Sequence, residues 1–209
     1  MMKIKSLSPV SNAVGKYKVE FSDGQVLTLY RQTIEDFGLY PGMEFSREQL
    51  DALIAAAGEM SAKMRAVRIV SAAGVSKRDL RQRLIQKGET PENADNAVAW
   101  MEELSLLDDR KTAQMIVSRC ADKGYGVARA RQSLYEKKIP KELWENVLED
   151  YPDQSEFILS FLRSKVDNDT DAKQLRRVID SLLRKGHSYS QIRRCLDRLS
   201  LNLEEFPED

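Results

Sequence analysis

The sequence predicts a mainly α-helical protein, with three tandem three-helix repeats forming an elongated array behind a small module that contains a β-hairpin. Three observations predict it. The stretch RQRLIQKG at 81–88 returns as RQSLYEKK at 131–138, with a third echo, SLLRKG, at 181–186. From about residue 59 onward every strong apolar periodicity is helical, and the segments sort into three sets of three. Charge alternates in step with those sets. Residues 61–88 hold eight basic and one acidic, 89–109 none and seven, 110–138 eight and two, 139–172 three and nine, and 173–198 eight and two.

The N-terminal module comes first. Tyr17 to Phe21 alternates with Lys18 and Glu20, Asp23-Gly24 offers a turn, and Val26 to Tyr30 resumes a β-favouring run, which is a hairpin signal. Lys3 to Leu7 is a candidate third strand, and Gly38 to Gly42 with Pro41 is a loop. Ser46 to Gln49 spells a capping box that opens a helix through Leu50, Leu53 and Ile54. The module is expected to span residues 1–58, followed by repeats at 59–108, 109–152 and 153–209.

Each repeat reads as helices A, B and C. The first has A at about 60–73, B at 77–87 behind Ser76, and C at 91–104 behind Thr90-Pro91. The second has A at about 109–122, B at 127–138 and C at 140–150, with Pro140 in the first turn. The third has A at about 154–166, B at 171–185 and C at 189–199 behind a second capping box, Ser188 to Gln191. Leu84, Leu134 and Leu182 are equivalent core positions of helix B, and Ala94/Val98, Leu143/Val147 and Ile192/Leu196 keep an i, i+4 spacing in helix C.

Bulk charge decides nothing, because 33 basic residues balance 33 acidic ones. Two readings of the alternation stay open. The blocks either solvate the surface and pair loosely between neighbouring helices, or align basic faces of successive repeats toward a long polyanionic or acidic partner. Cys120 and Cys195 fall in amphipathic helical patterns and read as small buried groups rather than a disulfide. The start MMKIKSLSPV lacks a signal-peptide core, and no run approaches the roughly 18 apolar residues of a membrane helix, so a soluble cytoplasmic chain is expected.

Enzyme motifs find little material. His187, in RKGHSYS, is the one histidine, is read as a surface-loop residue, and has no matching cluster for a zinc site or a nucleophilic triad. DKGYGVAR at 122–129 lacks the P-loop spacing and follows no strand, so Gly124 and Gly126 read as a helix-to-helix turn. Asp108-Asp109 stands at the start of a helix, where carboxylates cap rather than catalyse. Trp100 and Trp144 lie within helical stripes and read as packing residues. The expectation is no catalytic residue, no metal and no cofactor.

The stretch LSLLDDRKTAQMIVSRCADKGYGVARARQSLYEKKIP, from Leu104 to Pro140, resembles the RecX family of bacterial recombinase regulators. The matching features are the Leu-Asp-Asp junction, Ala113, Arg119, Lys-Gly-x-Gly, and an Arg-x-x-Leu helix ending in Lys-Lys-Ile. SKRDLRQRLIQKGETPENADNAVAWMEEL is similar to the family's first repeat and LLRKGHSYSQIRRCLDRL to its third, while the hairpin and FGLYPGMEFSREQL are similar to an extension that some members carry. There are departures. Thr112 stands where the family commonly has an aromatic, and Ser105 and Lys138 stand where a Gly is frequent.

The resemblance implies tandem three-helix repeats that bind the RecA recombinase and its DNA filament and restrain recombinase activity; the chain is expected to be a monomer and not an enzyme, with single- or double-stranded DNA as a second candidate contact and no membrane partner. The candidate surface is the basic side of helices A and B: Arg81, Lys87, Arg119, Lys123, Arg129, Arg131, Lys137, Arg177, Arg184 and Lys185, with Tyr125 as an anchor at an A-to-B turn. A helix-turn-helix transcription factor is the competing reading, and an adaptor built from helical repeats is a third. Against the former, the helix in the reading position carries Glu92, Asp95, Glu102 and Glu103, which phosphate would repel.

Overall fold

The computed structural model of the chain describes residues 2–166 and 170–199. Three strands, β1 (Met2–Pro9), β2 (Lys16–Phe21) and β3 (Val26–Tyr30), are followed by a short helix α1 (Arg31–Asp36) and a two-residue strand β4 (Glu44–Phe45). They form an antiparallel sheet in the order β3-β2-β1-β4, with a bulge in β1 between Ile4 and Ser6. Alternation decides its faces: Val19 and Phe21 point inward while Lys18 stays exposed. The hairpin lies where the sequence places it, and the Asp23-Gly24 turn is closed by the Asp23 side chain accepting from the Gln25 amide at 2.9 Å. Neither α1 nor β4 is foreseen by periodicity, because six and two residues are too short to show one.

Helix α2 (Arg47–Ala72) starts at the capping box, where Ser46 accepts from the Gln49 amide and Gln49 accepts in return from the Ser46 amide. It then runs unbroken through 26 residues, so the trailing helix of the module and helix A of the first repeat are one helix. Gly58 does not interrupt it but sits inside, where an added Cβ would come 2.7 Å from Asn93 Nδ2. The first half of α2 supplies Leu50 and Leu53 to the core beneath the sheet. The second half supplies Ala62 and Ala66 to a second core shared with α3 (Lys77–Gln86) and α4 (Pro91–Glu103). Ala62, Ala66, Ala94 and Ala97 are all fully buried, and side chains this small let α2 and α4 approach closely. The buried positions of α4 are Ala94, Ala97 and Met101, with Val98 only half-buried.

These elements make up one compact unit, Met1–Leu107, and the second unit is Asp108–Asp209. The second opens with α5 (Asp109–Asp122) and α6 (Val127–Glu136). Asp108, rather than Asp109, is the capping residue of α5, accepting from the amides of Arg110 and Lys111 at 2.9 and 3.1 Å. Those bonds hold its carboxyl below the usual carboxylate range. Helix C of this repeat is shorter than expected: a 3-10 turn at Lys141–Leu143 leads into α7 (Trp144–Leu148). Leu148 is its buried residue, while Leu143 and Val147 are half-buried.

The third repeat follows as α8 (Ser155–Arg163), α9 (Ala172–Arg184) and α10 (Tyr189–Arg198), packed around Ile158, Leu159, Leu162, Ile179, Leu182, Ile192 and Leu196. Leu84, Leu134 and Leu182 each have 0 % exposure. Helices α3, α6 and α9 end alike, the carbonyls of these leucines accepting from the amides of Glu89, Ile139 and His187 at 3.1, 3.0 and 3.2 Å. Each residue before those donors has a positive φ: Gly88, Lys138 and Gly186. This is the left-handed closure that glycine adopts most easily. Cys120 and Cys195 are buried free thiols. Among the described residues no helix is long and apolar enough to cross a membrane.

Candidate functional site

The recurring Arg of helix B has an internal partner in the first two repeats. Arg81 Nε and Nη2 donate to the two carboxylate oxygens of Asp95 at 2.5 and 3.1 Å. Arg131 Nη1 and Nη2 donate to those of Glu145 at 2.9 and 3.4 Å. Both pairs join helix B to helix C across the same spacing of 14 residues. The guanidinium hydrogen bond holds each carboxyl below its usual range. Lys77 bridges to Glu102 in the same sense, and Arg65 of α2 pairs with Glu89 in the turn between α3 and α4. Part of the charge alternation is therefore a device within the first two repeats, a basic helix B clipped to an acidic helix C. The third repeat drops it: Ile179, a core residue, stands three before Leu182 where Arg81 and Arg131 stand three before their leucines.

Within the second unit, two turns distant in sequence lock together. The α5–α6 turn, Lys123 to Gly126, meets the α9–α10 turn, Lys185 to His187. The Gly126 amide donates to the Lys185 carbonyl at 2.9 Å and the Ala128 amide to the Gly186 carbonyl at 3.3 Å. Three glycines make room. An added Cβ would lie 2.1 Å from the Phe157 ring at Gly124, 2.0 Å from the Gly186 carbonyl oxygen at Gly126, and 2.3 Å from the Arg129 nitrogen at Gly186. Gly124 and Gly186 also have φ values of +66° and +89°.

His187 lies inside this junction, 3 % exposed, and the expectation of a surface-loop histidine is overturned. Its ring stacks on Phe157 at 5.9 Å, and Nε2 donates to the Gly124 carbonyl at 3.0 Å. Among the described residues no group bonds to its buried Nδ1. Burial and the nearby Lys185 charge push its pKa down, against the Gly124 bond. Tyr151 ties the same turn from α7's side by donating to the Tyr125 carbonyl at 2.7 Å, and burial, with the neighbouring Cys120, pushes its hydroxyl up to about 12. The Lys185 ammonium lies over the rings of Tyr125, Phe157 and Phe161 at 5.5, 5.7 and 5.7 Å.

The expected surface residues thus divide. Arg81 and Arg131 are committed to Asp95 and Glu145, and Lys185 to three aromatic rings. Tyr125 is half-buried in the core of the second repeat. Arg129 reaches Glu136 at 3.7 Å, and Lys137 is the exposed C-cap of α6. Lys87, Arg119, Lys123, Arg177 and Arg184 are exposed and carry no ion pair among the described residues. The locked turns bring the chain at Lys123 and Arg129 beside the chain at Arg184 and Lys185, joining two basic blocks of the sequence into one neighbourhood. Among the described residues there is no group of three or more His, Cys, Asp or Glu that could hold a metal ion.

No family model matches the sequence. The regulatory protein RecX of Clostridioides difficile is 24 % identical over 198 residues, covering 91 % of this chain and 92 % of that protein. The chain is similar to RecX regulatory proteins over nearly its whole length. The regulatory protein RecX of Vibrio vulnificus is 28 % identical over 140 residues, 66 % of this chain and 92 % of its own length. That of Shigella dysenteriae serotype 1 is 32 % identical over 94 residues, which span 57 % of its length. The fold agrees: a crystal structure of regulatory protein RecX has a TM-score of 0.64 at 20 % identity, covering 94 % of this chain and all 100 % of the other. RecX from Lactobacillus salivarius gives 0.62 at 20 % identity over 70 % of this chain and 99 % of its own. The RecX-like Lys-Gly-x-Gly of the second repeat is the turn that meets His187, so the motif has a packing reason here.

The acid partners of the clips, Asp95 and Glu145, were readable as an Arg-to-acid spacing common to two repeats. Phe157, Phe161 and Tyr151 were not, because nothing local marks which turn their rings will cover.

Proposed function

We propose that this regulator acts by binding the RecA recombinase filament and restraining its activity, without chemistry of its own. The observation that carries the proposal is the junction of the second unit, where cations of two repeats share one neighbourhood. Exposed Arg119, Lys123 and Arg184 are the side chains assigned to the contact, with Arg177 beyond them on α9. Arg119 in the last turn of α5 and Lys123, its C-cap, lie four apart and so fall on one side of the helix end. Positive charge at this density suits acidic protein surface or the phosphates of bound DNA. Arg81 and Arg131 hold the scaffold instead.

The test mixes the protein with its host recombinase on single-stranded DNA and follows ATP hydrolysis and filament length. Wild-type protein is expected to slow hydrolysis and shorten filaments. Changing Arg119, Lys123 and Arg184 together to Glu should abolish the effect with little change in melting, since exposed substitutions usually alter stability by about 0.5 kcal/mol or less. A folded triple variant that inhibits at wild-type concentration would remove the contact from this surface. Phosphate contacts would add about one unit of salt slope each, and contacts to acidic side chains less.

A further inference from the structure

The first unit holds a half-open cleft of about 470 Å³ between the N-terminal module and the first repeat. That volume falls within the range of small-molecule sites. Its apolar lining is two aromatic side chains, Tyr30 and Trp100, with Met60 and Met64 of α2. All four are half-buried, so ring surface remains open to a ligand. Cations surround the rings. Lys16 Nζ lies 4.8 Å from the Tyr30 ring centre and Lys63 Nζ 5.6 Å from that of Trp100, while Arg68 donates to the Tyr30 hydroxyl at 3.3 Å. Arg31 and Lys63 are each balanced by a carboxylate one turn away, Glu35 at 2.7 Å and Glu59 at 2.6 Å. Lys16 and Arg68 carry no ion pair among the described residues, which leaves the rim net positive.

We infer that this cleft binds one base of a single-stranded nucleic acid, the base stacking on Tyr30 and Trp100 and its flanking phosphates meeting Lys16 and Arg68. A cationic ligand is disfavoured, because the rings already have ammonium groups beside them. A purely apolar ligand would leave the unpaired cations without use. A planar aromatic with negative charge on either side uses both features, and stacking tolerates any base. Bases of a duplex are already stacked on each other and cannot enter. A free nucleotide is disfavoured too, since the helix that opens at the cleft, α1, has six residues and its first amide, that of Arg31, already donates to the Gly15 carbonyl at 2.8 Å. Little backbone is left to grip a terminal phosphate.

The inference is independent of the recombinase reading and is tested without recombinase. A labelled oligothymidine is titrated by anisotropy against wild type, Tyr30→Leu and Trp100→Leu, with melting curves run alongside. Each variant should bind about fivefold or more weakly, the lower end of what stacking one base contributes. A strand carrying 5-bromodeoxyuridine, cross-linked by light to the wild-type protein, should label peptides that contain Tyr30 or Trp100. This second measurement stands even where a variant folds poorly. Adducts confined to residues 108–209, or two folded variants that bind like wild type, would overturn the assignment. So would thymidine monophosphate displacing the strand at equal nucleotide concentration, or a duplex of the same length binding equally well.

Discussion

His187 joins the two repeats of the second unit through a single neutral tautomer. With Nε2 donating to Gly124 and Nδ1 bare, protonation would place a donor where no acceptor stands, close to the Lys185 ammonium. A histidine whose folded pKa is depressed binds its proton more readily when unfolded. Stability from this group is therefore complete above the unfolded pKa of about 6.5, and falls as pH drops through that value toward the lower folded pKa. Thermal melts between pH 7.5 and 5 are expected to show a falling Tm of the second unit, and His187→Gln should flatten that slope. As the chain has one histidine, its ring resonance in an NMR titration reads the folded pKa directly. A midpoint at or above 6.5 would contradict the burial argument. This residue was illegible in the sequence for a physical reason: RKGHSYS looks like any turn, and its cover comes from Phe157 on α8 and Gly124 after α5.

Helix ends were more legible, because they obey local rules. Ser46, Ser76, Thr90 and Ser188 were marked as caps, and each accepts from a backbone amide three residues on. The C-terminal ends show where the chain departs from its own best chemistry. Ser105 and Lys138 have φ values of 56° and 55°, the left-handed region in which a side chain is strained. Both stand where the family resemblance noted a frequent Gly, so the departure is a conformational cost. Ser105→Gly is expected to stabilise the first unit by about 1 kcal/mol, read as a Tm increase of a few degrees. The helix B leucines give the opposite sign. Leu134→Ala removes a fully buried side chain between α5, α6 and α7, and should cost about 2–5 kcal/mol in chemical denaturation.

At the scale of the whole chain, periodicity located the three repeats but not the divisions between them. The apolar residues form four cores. One lies under the sheet, one in the first repeat, one in the second and one in the third. A sequence reading that counts repeats therefore counts cores correctly. It misplaces the first division, because α2 carries Leu50 and Leu53 of one core and Ala62 and Ala66 of the next. A cut at residue 58 would sever that shared helix and strip Tyr30 and Arg31 from the cleft beside Met60 and Trp100. A cut between Leu107 and Asp108 leaves each of the four cores whole. Residues 108–209, expressed alone, are expected to keep helical circular dichroism and a cooperative melt, being well above the roughly 40 residues below which a domain needs staples. Residues 59–209 should instead show faster amide exchange in α2 and α4 than the intact chain, with the amides of α5 to α10 unchanged. If α2 and α4 exchange as slowly in that fragment as in the full chain, the sheet module is a dispensable appendage, and continuity of α2 adds nothing to the first repeat.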